Sequence, residues 1–200
     1  MKKNTVILYT PCSFTDLAFR YVVQNISTFQ CQVKTVLNLS EFLLGLKLIK
    51  ASENNIIVID LIEQSAHWRV DYLCALWNFR RIVNNNDLGN VSFLLLGNTK
   101  QMLPSFLHHI PLICNLEKLE IYLLQALSCK NNFLLKPIKK INKNKRFLMY
   151  AITEGFNTTE TSIALNTSLK NIRNRQEALM RQMGLKNRYE IALLAGKILL

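Results

Sequence analysis

The sequence predicts a parallel-sheet α/β domain followed by a smaller all-α domain. Short, continuous apolar runs rich in β-branched residues recur through the first two thirds of the 200-residue chain, and helical patterns separate them. A strand that is apolar throughout is covered on both faces, as in parallel sheets enclosed between helices. Near residue 130 the chain turns polar and basic, and beyond that point only helical periodicity occurs.

In order, VILY (Val6–Tyr9) reads as a buried strand, and Phe14, Leu17, Ala18, Tyr21 and Val22 then recur at helical spacing. CQVKTV (Cys31–Val36) is a second strand, followed by a helix from Ser40, a plausible N-cap, to Lys50. IIVID (Ile56–Asp60) is a third strand and Ala66–Val83 a helix, broken by NNNDLGN. VSFLLL (Val91–Leu96) is a fourth strand and PLIC (Pro111–Cys114) a weaker fifth. An amphipathic helix, Leu116–Leu127, closes the domain. The division expected is an α/β domain over 1–128, a linker over 129–140 containing Pro137, and a helical domain over 141–200.

In the helical domain, Phe147, Leu148, Ala151 and Ile152 define the inner face of the first helix. Gly155 stands where a helix C-terminus needs positive φ. Asn157 caps the next helix, with Glu160 as its capping-box partner. Asn166-Thr167-Ser168 form a tight turn into the next helix, capped by Thr167 or Ser168. In the stretch TSLKNIRNRQEALMRQMGLKNR, a helical wheel places Leu169, Gln176, Leu179, Met180 and Met183 on the face of Ile172. Lys170, Asn174, Glu177 and Arg181 fall opposite, Asn171 and Arg173 flank them, and Arg175 lies nearer the inner edge.

Charge follows the same division. The chain holds 25 Lys or Arg and 13 Asp or Glu, net +12; 13 of the basic and only 4 of the acidic residues lie from Lys136 onward. Concentrated positive charge attracts polyanions, above all nucleic acid or an anionic membrane surface. Half the residues are apolar, which excludes wholesale disorder. No stretch approaches the ~20 apolar residues of a membrane span, and VILY is too short for the centre of a signal peptide. Five scattered cysteines, Cys12, Cys31, Cys74, Cys114 and Cys129, form no CxxC pair and read as free thiols of a reducing compartment. A cytoplasmic protein is expected, with no bound metal or cofactor.

The helical domain resembles the helix-turn-helix domain of LuxR/NarL-type bacterial transcription regulators over residues 141–188. The match is ungapped: Ile141-Asn142 at the opening, Gly155 closing the first helix, Asn157 and Glu160 as cap and partner, Leu165 before the turn, then Ser168, Lys170 and Ile172. It ends in Gln182-Met183-Gly184-Leu185-Lys186-Asn187-Arg188. The chain departs from the family at Phe147, where an acidic residue is usual, at Thr161-Ser162 in place of Ile-Ala, and at Asn166-Thr167 in place of Gly-Ile. The resemblance implies four helices and a double-stranded DNA partner. It assigns Lys170, Asn171, Arg173, Asn174 and Glu177 to the groove, and Arg175, Arg181, Lys186 and Arg188 to phosphates. The family often dimerises through its last helix; here Ile191, Leu194, Ala195 and Ile198 either do so or pack on their own domain.

The α/β part in turn resembles the receiver (flavodoxin-like) domain that usually accompanies this module. Asp60, ending IIVID, lands at the place of the phosphoacceptor. The acidic pair that would hold Mg²⁺ after the first strand is replaced by YTPCSFTD, with Asp16 too late. Gly97-Asn98 stand where the family has Ser or Thr, and Asn115 where it has Lys. The receiver is therefore expected to be degenerate and Asp60 unphosphorylated.

Other candidates are bland. Adjacent His108 and His109 point apart on a helix, Cys12-Ser13 lack a patterned His or Asp partner, and Trp68 and Trp77 suit core or interface. The expectation is a DNA-binding transcription regulator and no enzyme, acting as a homodimer, or as a heterodimer with another response regulator, that recruits or blocks RNA polymerase. Similar regulators with altered receivers often govern surface structures such as fimbriae. The alternatives are a partner protein that modulates another regulator without reading DNA, and a phosphorylation-switched regulator using Asp60.

Overall fold

The computed structural model describes residues 4–26, 30–47, 49, 54–62, 65–86, 91–98, 103–128 and 141–198. The expected linker, 129–140, lies outside them, as does Cys129. Five strands form one parallel sheet: β1 (Asn4–Tyr9), β2 (Cys31–Val36), β3 (Asn54–Asp60), β4 (Val91–Leu96) and β5 (Leu112–Ile113). Their order, β2-β1-β3-β4-β5, is the flavodoxin-like one. Register pairs Tyr9 with Val36 and Ile59, and Asp60 with Leu96, so the strand ends line up along one edge.

β2 and β4 coincide with the apolar runs that predict them; β1 and β3 each begin two residues earlier, and β5 keeps only Leu112 and Ile113 of PLIC. Both sheet faces are apolar, and the period of two sorts them. Val6, Leu8, Ile56, Val58, Leu94 and Leu96 meet Phe19, Val22 and Val23 of α1 (Ser13–Asn25) and Leu119 and Leu123 of α4 (Leu116–Leu127). Ile7, Tyr9, Ile57, Ile59, Phe93 and Leu95 face α2 (Leu39–Lys47) and α3 (Ala66–Asn86). Between β4 and β5 the described residues hold one 3-10 turn, Ser105–Leu107.

The face of α1 differs from the expectation. Phe14, Leu17 and Tyr21 are 80%, 65% and 67% exposed, while Phe19, Val22, Val23 and Ile26 are buried. The helix carries two overlapping apolar stripes, each at helical spacing, and the sheet takes the second. Phe19 shares one buried core with Val6 and Leu8 of the sheet and with Leu119 and Leu123 of α4.

Four helices follow: α5 (Lys143–Thr153), α6 (Thr158–Ala164), α7 (Leu169–Met183) and α8 (Arg188–Ile198). Their core residues Leu148, Ile152, Ile172, Leu179, Met183, Ile191 and Leu194 are continuous with the α2–α3 side of the sheet. Phe106, Leu107 and Ile110, around the 3-10 turn, belong to that same core. The inner face of α8 is thus occupied within the chain itself by α5 and α3. Phe147 is exposed where an inner position was expected, and Met149 is buried in its stead.

Candidate nucleic-acid interface

The ends of α5, α6 and α7 each have a local cause. Asn142 and Ser168 accept the N–H of the third residue of α5 and α7, and Asn157 with Glu160 forms the reciprocal capping box on α6. Three helices close in one manner, around Gly155 (φ +83°), Asn166 (φ +46°) and Gly184 (φ +68°). In each, the next residue's N–H returns to a carbonyl five residues back: Phe156 to Ala151, Thr167 to Ser162, Leu185 to Met180. The polar pair in α6 is buried yet satisfied. The Thr161 hydroxyl donates to the Asn157 carbonyl and the Ser162 hydroxyl to that of Thr159, both at 2.7 Å.

These caps orient α7. Ile172, Leu179 and Met183 are buried, the latter two within about 20° of Ile172 on either side at about 100° per residue. Gln176 and Met180 are half-buried, and Leu169 is 42% exposed, a correction to its expected inner place. Leu169 and Met180 sit about 60° and 80° to one side, where the covered stripe has ended. Lys170, Asn171, Arg173, Asn174, Arg175, Glu177 and Arg181 are all exposed. Among the described residues none of them forms an ion pair; Asn171 donates to the Thr167 hydroxyl at 3.3 Å. Beyond α7, Lys186 is exposed, and Arg188 is half-buried with its guanidinium donating to the Phe156 carbonyl.

The turn between α7 and α8 is held from below. Glu190, 1% exposed, receives Arg69 of α3 in a fork: Nη2 to Oε1 at 2.9 Å and Nε to Oε2 at 3.1 Å. Its Oε2 also accepts the Lys186 N–H at 2.8 Å, and its own N–H donates to Asn187 Oδ1 at 3.0 Å. Lys197 pairs with Asp71 at 2.8 Å nearby, and the Tyr189 and His67 rings meet edge to face at 6.2 Å. Gly184 lies so close to Pro104 that a Cβ there would stand 2.7 Å from the proline Cδ. Glu190 was not singled out from sequence, because its partner is 121 residues away.

At the strand ends, Asp60 is fully buried. Its Oδ2 accepts the Thr10 hydroxyl at 2.6 Å, and its Oδ1 accepts the Ile62 N–H at 2.8 Å. Its carbonyl accepts the Trp68 indole N–H at 2.7 Å, and Trp68 packs on Tyr9 with centroids 4.4 Å apart. Asp16 is engaged elsewhere, with Arg20 at 2.8 Å and with the Thr35 hydroxyl. Asn115 caps α4 through the Lys118 N–H. Cys12 precedes α1, its thiol held below the ordinary value first by the Thr15 backbone N–H. His108 contacts the Leu103 carbonyl through Nε2 at 3.0 Å. Among the described residues no helix is long and apolar enough to cross a membrane.

No family model and no curated protein matches the sequence. Solved structures match in fold. A DNA complex of the two-component response regulator RcsB aligns at TM-score 0.57 and 16% identity, covering 97% of this chain and 98% of the other. A structure of two RcsB dimers bound to two parallel DNAs gives 0.54 and 15%, with the same coverage. RcsB from Salmonella enterica serovar Typhimurium, bound to promoter rprA in the presence of phosphomimetic BeF3-, gives 0.52 and 15%, again over 97% and 98%. At these identities the likeness establishes the fold, a receiver-like parallel α/β part with helices after it, along nearly the whole chain.

Proposed function

We propose that this chain is a sequence-specific DNA-binding transcription regulator whose output does not depend on phosphorylation. Residues 1–128 serve as a degenerate receiver-like domain and 141–200 as the reading head, joined through 129–140. The observation that carries the reading is α7, which buries Ile172, Leu179 and Met183 and turns Lys170, Asn171, Arg173, Asn174 and Glu177 outward. Long donors on an outward helix face suit the major groove, where Arg and Lys pair with guanine and Asn with adenine. Arg175, Arg181, Lys186 and Arg188 lie about its rim and serve as phosphate contacts. The chain acts as a dimer on two related half-sites.

Phosphorylation independence is supported by Asp60. Both of its oxygens are engaged inside the protein, and Asp16, the acidic residue that follows the first strand, is committed to Arg20 and Thr35. A nucleophilic carboxylate with Mg²⁺ at its side would need more acidic ligands than that.

The test is enrichment of duplexes from a random pool by the full chain, followed by affinity titrations. A consensus is expected. Arg173→Ala or Asn174→Ala should flatten preference at one base pair, by about 1–3 kcal/mol. Lys186→Ala should weaken every duplex alike and lower the salt slope by about one. Acetyl phosphate with Mg²⁺ should change nothing. If no duplex is enriched, the chain is a partner protein that does not read DNA.

A further inference from the structure

A buried ion pair needs a reason, because aliphatic residues of the same volume are often as stabilising or more so. Arg69 and Glu190 form such a pair, 121 residues apart in the chain and both withdrawn from water. The Glu190 carboxylate is also the acceptor for the Lys186 N–H, so one side chain fixes both the α3 guanidinium and the backbone of the α7–α8 turn. The same turn begins at Gly184, seated against Pro104 of the segment between β4 and β5. It carries Lys186 and leads into Arg188, the two groups assigned to phosphates after α7.

We infer that Arg69 and Glu190 are positioning residues for DNA binding: their fork anchors the α7–α8 turn to the α/β part and thereby sets where Lys186 and Arg188 meet the phosphate backbone. This rests on the DNA-binding reading of α7. A phosphate contact gains from a fixed turn because less conformational entropy is lost when the contact forms. Without the Glu190 carboxylate the Lys186 N–H loses this acceptor, and the turn is held less firmly at its α8 side. The base-contacting residues lie earlier on α7 and are untouched, so preference among sequences is retained while affinity falls.

The full chain is used, with fluorescence anisotropy on a labelled mixed-sequence duplex of about three helical turns across a salt series, since phosphate contacts are sequence-independent. Arg69→Met/Glu190→Met replaces both charges by apolar groups and is expected to fold, with a thermal midpoint near the parent's. It should bind about tenfold more weakly and with a shallower salt slope. Glu190→Gln, which keeps an oxygen for the Lys186 N–H but loses the ionic fork, should fall between the two. Should the double variant fail to fold, Glu190→Gln alone decides, read against the parent. A folded variant that binds with the parent's affinity and salt slope overturns the assignment, since a purely structural pair would behave so. Tighter binding overturns it too, because the fork would then restrain the head. If the parent chain itself binds no duplex, the DNA-binding reading falls and this inference with it; a change confined to the variants touches the inference alone.

Discussion

Asn166 stands in left-handed backbone, φ +46°, at the close of α6, with the Thr167 N–H returning to the Ser162 carbonyl. Most L-residues lose about 1–2 kcal/mol there, and only glycine is free of the penalty, with asparagine the best of the rest. That accounts for a departure visible in the sequence, where Asn replaces the Gly usual at this turn. Asn166→Ala should therefore cost about 1 kcal/mol in chemical unfolding, whereas Asn166→Gly should cost nothing. If alanine were tolerated as well as glycine, the left-handed turn would not be what ends the helix. Thr161 and Ser162, the other polar departures, return their hydroxyls to carbonyls of their own helix, which keeps them buried without a partner from outside. Residue-scale features of this kind were legible because caps and turns are local. A capping box spans four residues, here Asn157 to Glu160, and its letters stand close together.

At the scale of elements, strands and helix order were legible because the periods differ and the runs are long. What did not show was which stripe of a helix faces inward when two are present. On α1 both Phe14-Leu17-Tyr21 and Phe19-Val22-Val23 satisfy helical spacing, and the choice belongs to the sheet beneath. The consequence is a sharp contrast. Phe19→Ala should cost about 3–5 kcal/mol, as for a buried aromatic truncated in a packed layer. Leu17→Ala, at an exposed site, should stay within about 0.5 kcal/mol. Urea titrations of the two variants decide the matter, and a large loss at Leu17 would mean that the helix is turned the other way. On α7 the ambiguity was smaller. Ile172, Leu179 and Met183 are buried as the wheel requires, while Leu169, Gln176 and Met180 proved wetter than the stripe suggested.

At the scale of the whole chain, the docking of the last four helices on the α/β part had no sequence signature. It depends on pairs such as Arg69 with Glu190 and Lys197 with Asp71, whose members stand more than a hundred positions apart. It also depends on the place between β4 and β5 where the described residues form only a short turn, leaving Phe106, Leu107 and Ile110 to be covered by the helical region. Gly155 and Gly184 give a paired measurement of that docking. Both hold positive φ, so alanine meets the same backbone penalty of about 1–2 kcal/mol at each. Around Gly155 a new Cβ would meet nothing within 4 Å, whereas at Gly184 it would stand 2.7 Å from Pro104 Cδ and 2.8 Å from its nitrogen. The proline backbone cannot swing aside as a flexible side chain could. Gly184→Ala should thus lower the unfolding free energy by at least about 1 kcal/mol more than Gly155→Ala does. The excess should shrink in a Pro104→Gly background, where the two ring-carbon contacts are gone and the backbone nitrogen, freed of the ring, can shift. Equal losses for the two glycines in the parent would show that α7 does not rest on the β4–β5 segment in solution, and that the shared core is not formed there.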